Sequence, residues 1–265
     1  MANRKKGFQG HSLVIKSNEL VQLSQTTMTL GDLRAFTYLV TQIDRDNMYF
    51  DAVGDLSVTF RKADFCQKVG ILSGSGGNNK HLIDTLERLS QSIFKIESGA
   101  TIDNIPVLSI ASYDKGAEKL TISFNKKILP HLINLKKNFT TYRFENVLPL
   151  KSRHAFRLYE FLKSFHQPSA TVYIGKLMTI FGTNANAAVI IRDCIRPAVK
   201  EINEKTDLYI TFEKKKEGRT VTAIVFNISE QQQHAVADDD EEEVVFYGVP
   251  QSKTAPVVEQ LALDI

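Results

Sequence analysis

Gly116 stands eight residues before the pair Phe124-Asn125, and Gly218 stands eight residues before Phe226-Asn227, an offset of 102. Ile122 and Ile224 precede the two phenylalanines by two positions. A turn glycine followed by Ile-x-Phe reads as a β-hairpin whose second strand turns one face inward. Upstream of each hairpin the order is again shared: a short helix ending at Val69-Gly70 or Phe181-Gly182, a polar turn, then a longer helix. A chain repeating that order is constrained to two copies of one helix-turn-helix unit with a hairpin attached.

The second copy carries the clearer chemistry. Ile191, Ile195, Val199 and Ile202 recur every three or four residues and form one apolar helical stripe. Arg192, Arg196 and Lys200 recur every four residues on a neighbouring face, and Lys205 follows one turn later. Pro197 removes a backbone donor and is expected to bend this helix or begin a fresh first turn. The apolar runs Leu208–Phe212 and Val221–Ile228 then flank a basic tip of Lys214, Lys215, Lys216, Glu217, Gly218 and Arg219. A basic helix followed by a basic hairpin suits a DNA duplex, the helix in the major groove and the hairpin as a wing on the backbone. The same pattern also describes an amphipathic helix and hairpin whose basic residues simply face water.

Charge is segregated along the chain. Residues 230–265 hold nine acids against the single base Lys253, a charge of −8, which leaves residues 1–229 at +11 within a net +3. A basic body with an acidic tail is frequent among nucleic-acid binders, and ribosomal and membrane-surface proteins share it. No apolar run approaches the ~18 residues of a membrane span, and the short basic start lacks the apolar stretch of a secretory signal. Cys66 and Cys194 have no CxxC or histidine partner spacing and read as small buried hydrophobes in a reducing, cytoplasmic compartment.

Thr29 and Asp32 have capping-box spacing ahead of a helix reaching about Asp44, and Ser152 caps a second helix carrying Ala155, Phe156, Leu158, Tyr159, Leu162 and Phe165. The fold class expected is α+β: two tandem winged-helix domains, 12–145 and 146–229, between a flexible basic arm, 1–11, and a disordered acidic tail, 230–265. In the first unit the candidate DNA contacts are Asn78, Asn79, Lys80 and His81 at the start of its second helix, since Asn reads adenine and Lys holds phosphate or guanine. In the second, Arg153 and Arg157 lie one turn apart on the Ser152 helix and are candidates too, although one of them has Glu160 within reach as an internal partner. The six histidines (11, 81, 131, 154, 166 and 234) are scattered with no HExxH or His-x-His pair, which argues against a metal-dependent nickase. Gly74-Ser-Gly-Gly77 lacks the Gly-Lys-Ser/Thr ending of a phosphate-binding loop. No enzyme, cofactor or metal site is expected.

Two stretches carry a family resemblance, Leu150–Leu162 (LKSRHAFRLYEFL) and Pro197–Asp207 (PAVKEINEKTD). With them the chain, over about residues 12–229, resembles the replication initiator proteins of iteron-bearing bacterial plasmids. The resemblance implies two winged-helix domains that both contact directly repeated origin sites, and a homodimer repressing its own gene in equilibrium with a monomer that opens the origin. It places the base-reading helix on Val189–Lys205, with Arg192 and Arg196 in the major groove and Lys200 and Lys205 on the backbone. Double-stranded DNA is thus the expected partner, with host helicase, initiator and sliding clamp as further candidates. The terminal Gln260, Leu261, Leu263 and Ile265 resemble the short peptides with which bacterial proteins engage the sliding clamp. A stand-alone transcriptional repressor is the alternative, and a nickase or relaxase a more distant one.

Overall fold

The computed structural model describes residues 12–71, 78–98 and 100–231. The basic arm, the turn 73–77 and the tail from 232 onward, with its terminal Gln260–Ile265, lie outside the described residues. The chain starts with β1 (Leu13–Ser17), α1 (Asn18–Leu23), β2 (Ser24–Gln25) and α2 (Leu30–Thr41). At the start of α2 the Thr29 hydroxyl accepts from the Asp32 amide and the Asp32 carboxylate accepts from the Thr29 amide, the reciprocal cap expected from the spacing. The helix stops short of Asp44, whose carboxylate takes the Asp46 and Asn47 amides into a turn.

β3 (Tyr49–Phe50), β4 (Leu56–Arg61), α3 (Lys62–Val69), α4 (Asn78–Gln91), β5 (Ile93–Ser98), β6 (Thr101–Pro106), β7 (Leu108–Asp114) and β8 (Lys119–Phe124) follow. After β9 (Phe139–Arg143) come α5 (Arg153–Lys163), β10 (Ser169–Tyr173), α6 (Ile174–Phe181), α7 (Ala187–Val189), a π-helical segment Ile190–Ile195, α8 (Arg196–Lys205), β11 (Leu208–Glu217) and β12 (Thr220–Glu230).

Strand registers establish the repeat. In the first unit Leu56 and Val58 of β4 face Phe124 and Ile122 of β8; in the second Ala170 and Val172 of β10 face Phe226 and Ile224 of β12. The inward Ile-x-Phe therefore sits against the same positions of the strand that leads into each helix-turn-helix. The units differ by the hairpin β5–β6, which has no counterpart between α8 and β11 and forms its own sheet with β2. Pro197 does not end the second helix. The Arg196 amide donates five residues back to the Ile191 carbonyl, and this wide turn accommodates the proline ring and its missing donor, so the helical run continues through it.

One apolar core runs through both units, from Phe36, Phe65, Phe94 and Phe124 to Tyr159, Phe161, Phe181 and Phe226. Helix α5 lies inside it and is buried from Ala155 to Leu162 on every side. Polar groups on that helix must therefore find partners in protein. Glu160 accepts from Lys16 Nζ of β1 at 2.6 Å, from the Tyr142 hydroxyl of β9 at 2.5 Å and from Arg157 at 3.4 Å. Lys16 also donates to Thr37 of α2 at 2.9 Å. β1 and β9 pair in antiparallel register with Lys16 opposite Thr140, a pairing across more than a hundred residues that local pattern does not reveal.

Burial opposes the charge on Glu160, but the Lys16 and Arg157 cations outweigh it and hold its carboxyl below the usual carboxylate range. Its contribution to stability is thus complete above the unfolded-state pKa, about 4.3, and is lost as pH falls through the lower folded value. Glu160→Gln leaves Lys16 and Arg157 buried without their counter-charge and is expected to cost about 3–5 kcal/mol at neutral pH. Denaturant titration from pH 7 to pH 3 checks this, since the native and variant curves should converge towards the acid end.

Candidate nucleic-acid interface

Each helix-turn-helix is built on a left-handed glycine. Gly70 and Gly182, at φ +84° and +66°, close α3 and α6. The following amides, Ile71 and Thr183, reach back to the Cys66 and Met178 carbonyls at 2.8 and 3.0 Å, which ends both helices in the same Schellman arrangement. In the second unit Asn186 then caps the next helix, its side chain accepting from the Val189 amide at 3.1 Å.

From that cap the run 187–205 buries Ile190, Ile191, Cys194, Ile195, Ala198, Val199 and Ile202. Arg192, Arg196 and Lys200 stand on the exposed side, and the side chains of Arg192 and Lys200 are 72% and 78% exposed. Arg196 makes no ion pair among the described residues. Arg192 is held by its neighbour Asp193, Nε to Oδ1 at 2.6 Å and Nη2 to Oδ2 at 2.7 Å. Lys200 lies 3.9 Å from Glu204. Lys205 is off this stripe, half-buried and bonded to Glu201 at 2.7 Å. Glu201 in turn accepts from the Lys151 amide at 2.6 Å, so that end of the helix is tied to the protein.

The wing is longer than its apolar runs suggest. β11 extends to Glu217 and β12 starts at Thr220, so Lys214, Lys215 and Lys216 are strand residues and only Gly218 and Arg219 form the tip, with Gly218 at φ +60°. A register shift between Lys215 and Lys216 marks a bulge, a device that adds twist to a ribbon. All three lysines and Arg219 are exposed and unpaired with any acid among the described residues.

The first unit is less cationic. Lys80 and His81 are exposed at the start of α4, Asn79 is half-buried with Lys62 Nζ at 3.4 Å, and the side chain of Asn78 lies outside the described residues. Its wing mixes Lys115 and Lys119 with Asp114 and Glu118. Glu118 takes a salt bridge from Lys62 at 2.5 Å and a hydrogen bond from the Tyr113 hydroxyl at 2.6 Å, and those partners raise the Lys62 pKa. The wing is thereby clamped to the start of α3.

Of two further candidates, Arg157 is buried and Arg153 is half-buried. Arg157 is 3% exposed and donates to the Ser24 carbonyl at 2.9 Å and the Val21 carbonyl at 3.4 Å, besides Glu160. Arg153 donates to the carbonyls of Met28 at 2.8 Å, Thr26 at 2.6 Å and Phe181 at 2.9 Å. It fastens the loop before α2 to the end of α6. Arg157 is not placed to meet DNA, because α5 is covered on every face from Ala155 to Leu162, and Arg153 spends its donors on three backbone carbonyls. Cys66 and Cys194 are buried free thiols, as their isolation implies. Among the described residues no group of three His, Cys, Asp or Glu side chains is placed to hold a metal ion, and no helix is long and apolar enough to cross a membrane.

Residues 13–163 match the family described as Initiator Replication protein, WH1, and residues 176–228 match Initiator Rep protein, WH2. A replication initiation protein of Escherichia coli is 26% identical over 121 residues, 42% of this chain and 37% of that protein. An uncharacterised 27.6 kDa protein of Escherichia coli is 24% identical over 195 residues, 71% of this chain and 82% of its own length. Among solved structures, the Pi initiator protein in complex with iteron DNA superposes with a TM-score of 0.62 at 15% identity, covering 85% of this chain and all of that one, a likeness of fold.

Arg153→Ala is expected to cost about 2 kcal/mol or more, since three carbonyls lose a charged donor, whereas Lys215→Ala should change stability by less than about 0.5 kcal/mol. Thermal unfolding of the two variants separates a clamp residue from a surface one; equal, negligible losses would return Arg153 to the surface.

Proposed function

The chain belongs to the initiator replication protein family, and from that membership we propose that it binds directly repeated double-stranded sites at a plasmid replication origin and starts replication there by binding and bending the DNA. The observation that carries the proposal is the second unit. Its exposed Arg192, Arg196 and Lys200 lie on a capped helix, beside a wing whose Lys214, Lys215, Lys216 and Arg219 have no acid partner among the described residues. Cations left without internal counter-charges are available to phosphates, and an arginine on an exposed helix face suits a guanine edge in the major groove. Residues 12–145 and 146–229 are the proposed DNA-contacting units, and the second, with the less neutralised surface, supplies more of the affinity. Lys80 and His81 are the proposed contacts of the first.

The same reading takes the protein as a cytoplasmic homodimer in exchange with a monomer. The dimer represses the gene and the monomer acts at the origin with host replication proteins. Gln260, Leu261, Leu263 and Ile265, outside the described residues, form the proposed ligand for the sliding clamp.

Mobility shift of the full chain on its origin DNA tests the reading. A ladder of discrete complexes on direct repeats, steeply weakened by salt, is expected. A single complex on one inverted site would instead favour a plain repressor, and sequence-blind smearing would overturn specific binding. Within that assay Arg196→Ala is expected to cost about 1–3 kcal/mol and relax one base position, whereas Lys215→Ala should weaken all sequences alike and reduce the salt slope by about one.

A further inference from the structure

The exposed stripe that faces DNA in the reading above contains a carboxylate. Asp193 stands beside Arg192 in the π-helical segment, and its charge would repel a phosphate brought against it. Its geometry is specific: Oδ1 accepts from Nε and Oδ2 from Nη2 of Arg192, at 2.6 and 2.7 Å. A guanidinium carries five N–H groups in one plane. The side-on pair consumes the Nε–Nη2 edge and leaves the Nη1–Nη2 edge free and directed away from the carboxylate. That remaining edge has two parallel donors, the pattern that matches O6 and N7 of guanine. Arg196, four residues on, has no such partner among the described residues, and Lys200 meets Glu204 only at 3.9 Å. Arg192 alone on the stripe is therefore held in one plane before DNA arrives. An anion beside it disfavours a backbone contact and leaves a base edge as the ligand it suits.

We propose that Asp193 is a specificity-determining positioning residue, which orients Arg192 so that its free guanidinium edge reads one guanine in the major groove. The proposal rests on the second unit being the DNA reader. It differs from the simpler role of an acid as an electrostatic brake, which would weaken binding to every sequence alike.

The test uses the full chain and a labelled direct-repeat duplex, with duplexes substituted at one base pair at a time, by titration at fixed salt. The native protein should prefer G·C at one pair by roughly tenfold or more. Asp193→Ala and Arg192→Ala should each reduce that preference to within about twofold at the same pair and leave the other pairs discriminated. Asp193→Asn, which keeps one acceptor oxygen, should fall between. The double variant should discriminate no less than Arg192→Ala alone, because both changes remove one unit. Both side chains are exposed, and circular dichroism melts verify that the variants fold. If Asp193→Ala tightens binding to all duplexes by a common factor with discrimination intact, or changes nothing, the positioning role is overturned. Failure of the native protein to form discrete complexes would bring down the DNA-binding reading and this proposal with it.

Discussion

The carboxylate of Glu160 is the point on which the packing around helix α5 depends. It lies on helix α5, and its donors come from β1 and β9 as well as from Arg157 on its own helix. A buried ion pair adds little stability over a well-packed apolar substitute. What it imposes is register. Slipping β1 by one residue against β9 would turn Lys16 to the opposite face, away from Glu160 and Thr37. Tyr159, the next residue back, extends the arrangement: its hydroxyl donates to Asp207 at 2.8 Å and accepts from Asn146 at 3.1 Å. Asp207 also holds Lys163 at 2.8 Å, just ahead of the wing strand β11. Helix α5 thus connects the first strand of the chain to the base of the last hairpin.

The two helix-turn-helix units differ in charge and in elaboration. The first has a hairpin between its second helix and its wing, and a wing whose Glu118 is neutralised by Lys62. The second has a bare connection, and its wing lysines face water without acids among the described residues. The registers of β4 on β8 and of β10 on β12 are the same, and two glycines end their helices in the same way, so both units share one scaffold. The elements that pack inward are shared, and the outward-facing residues are free to vary.

Much of the architecture was legible in the residues because its causes are local. A left-handed helix end needs glycine, a capping box needs its two side chains three residues apart, and a hairpin shows a turn glycine between alternating apolar runs. The two-unit order, the helix over 187–205 and the exposed wing cations follow from such signals. β6, β9 and the short α1 do not. β9 exists because β1 is there to pair with it, and five residues of weak alternation carry no mark of a partner so far away. The π turn was equally hidden, since Pro197 announces a lost donor without saying how the helix absorbs it.

The basic residues show the division most plainly. Helical period places Arg153 and Arg157 on α5 and Arg192 and Arg196 on the later helix, and by sequence the two pairs look alike. Tertiary packing separated them. Helix α5 is buried from Ala155 to Leu162, and its two arginines donate to the carbonyls of Val21, Ser24, Thr26, Met28 and Phe181. The later helix packs only one face inward and leaves its arginines in water. By itself the sequence determined the repeated unit, its turns and the faces of its helices, because backbone geometry and side-chain period act over a few residues. Which of those faces meets protein and which meets solvent was decided by the tertiary structure, because burial depends on elements that approach from a hundred or more residues away.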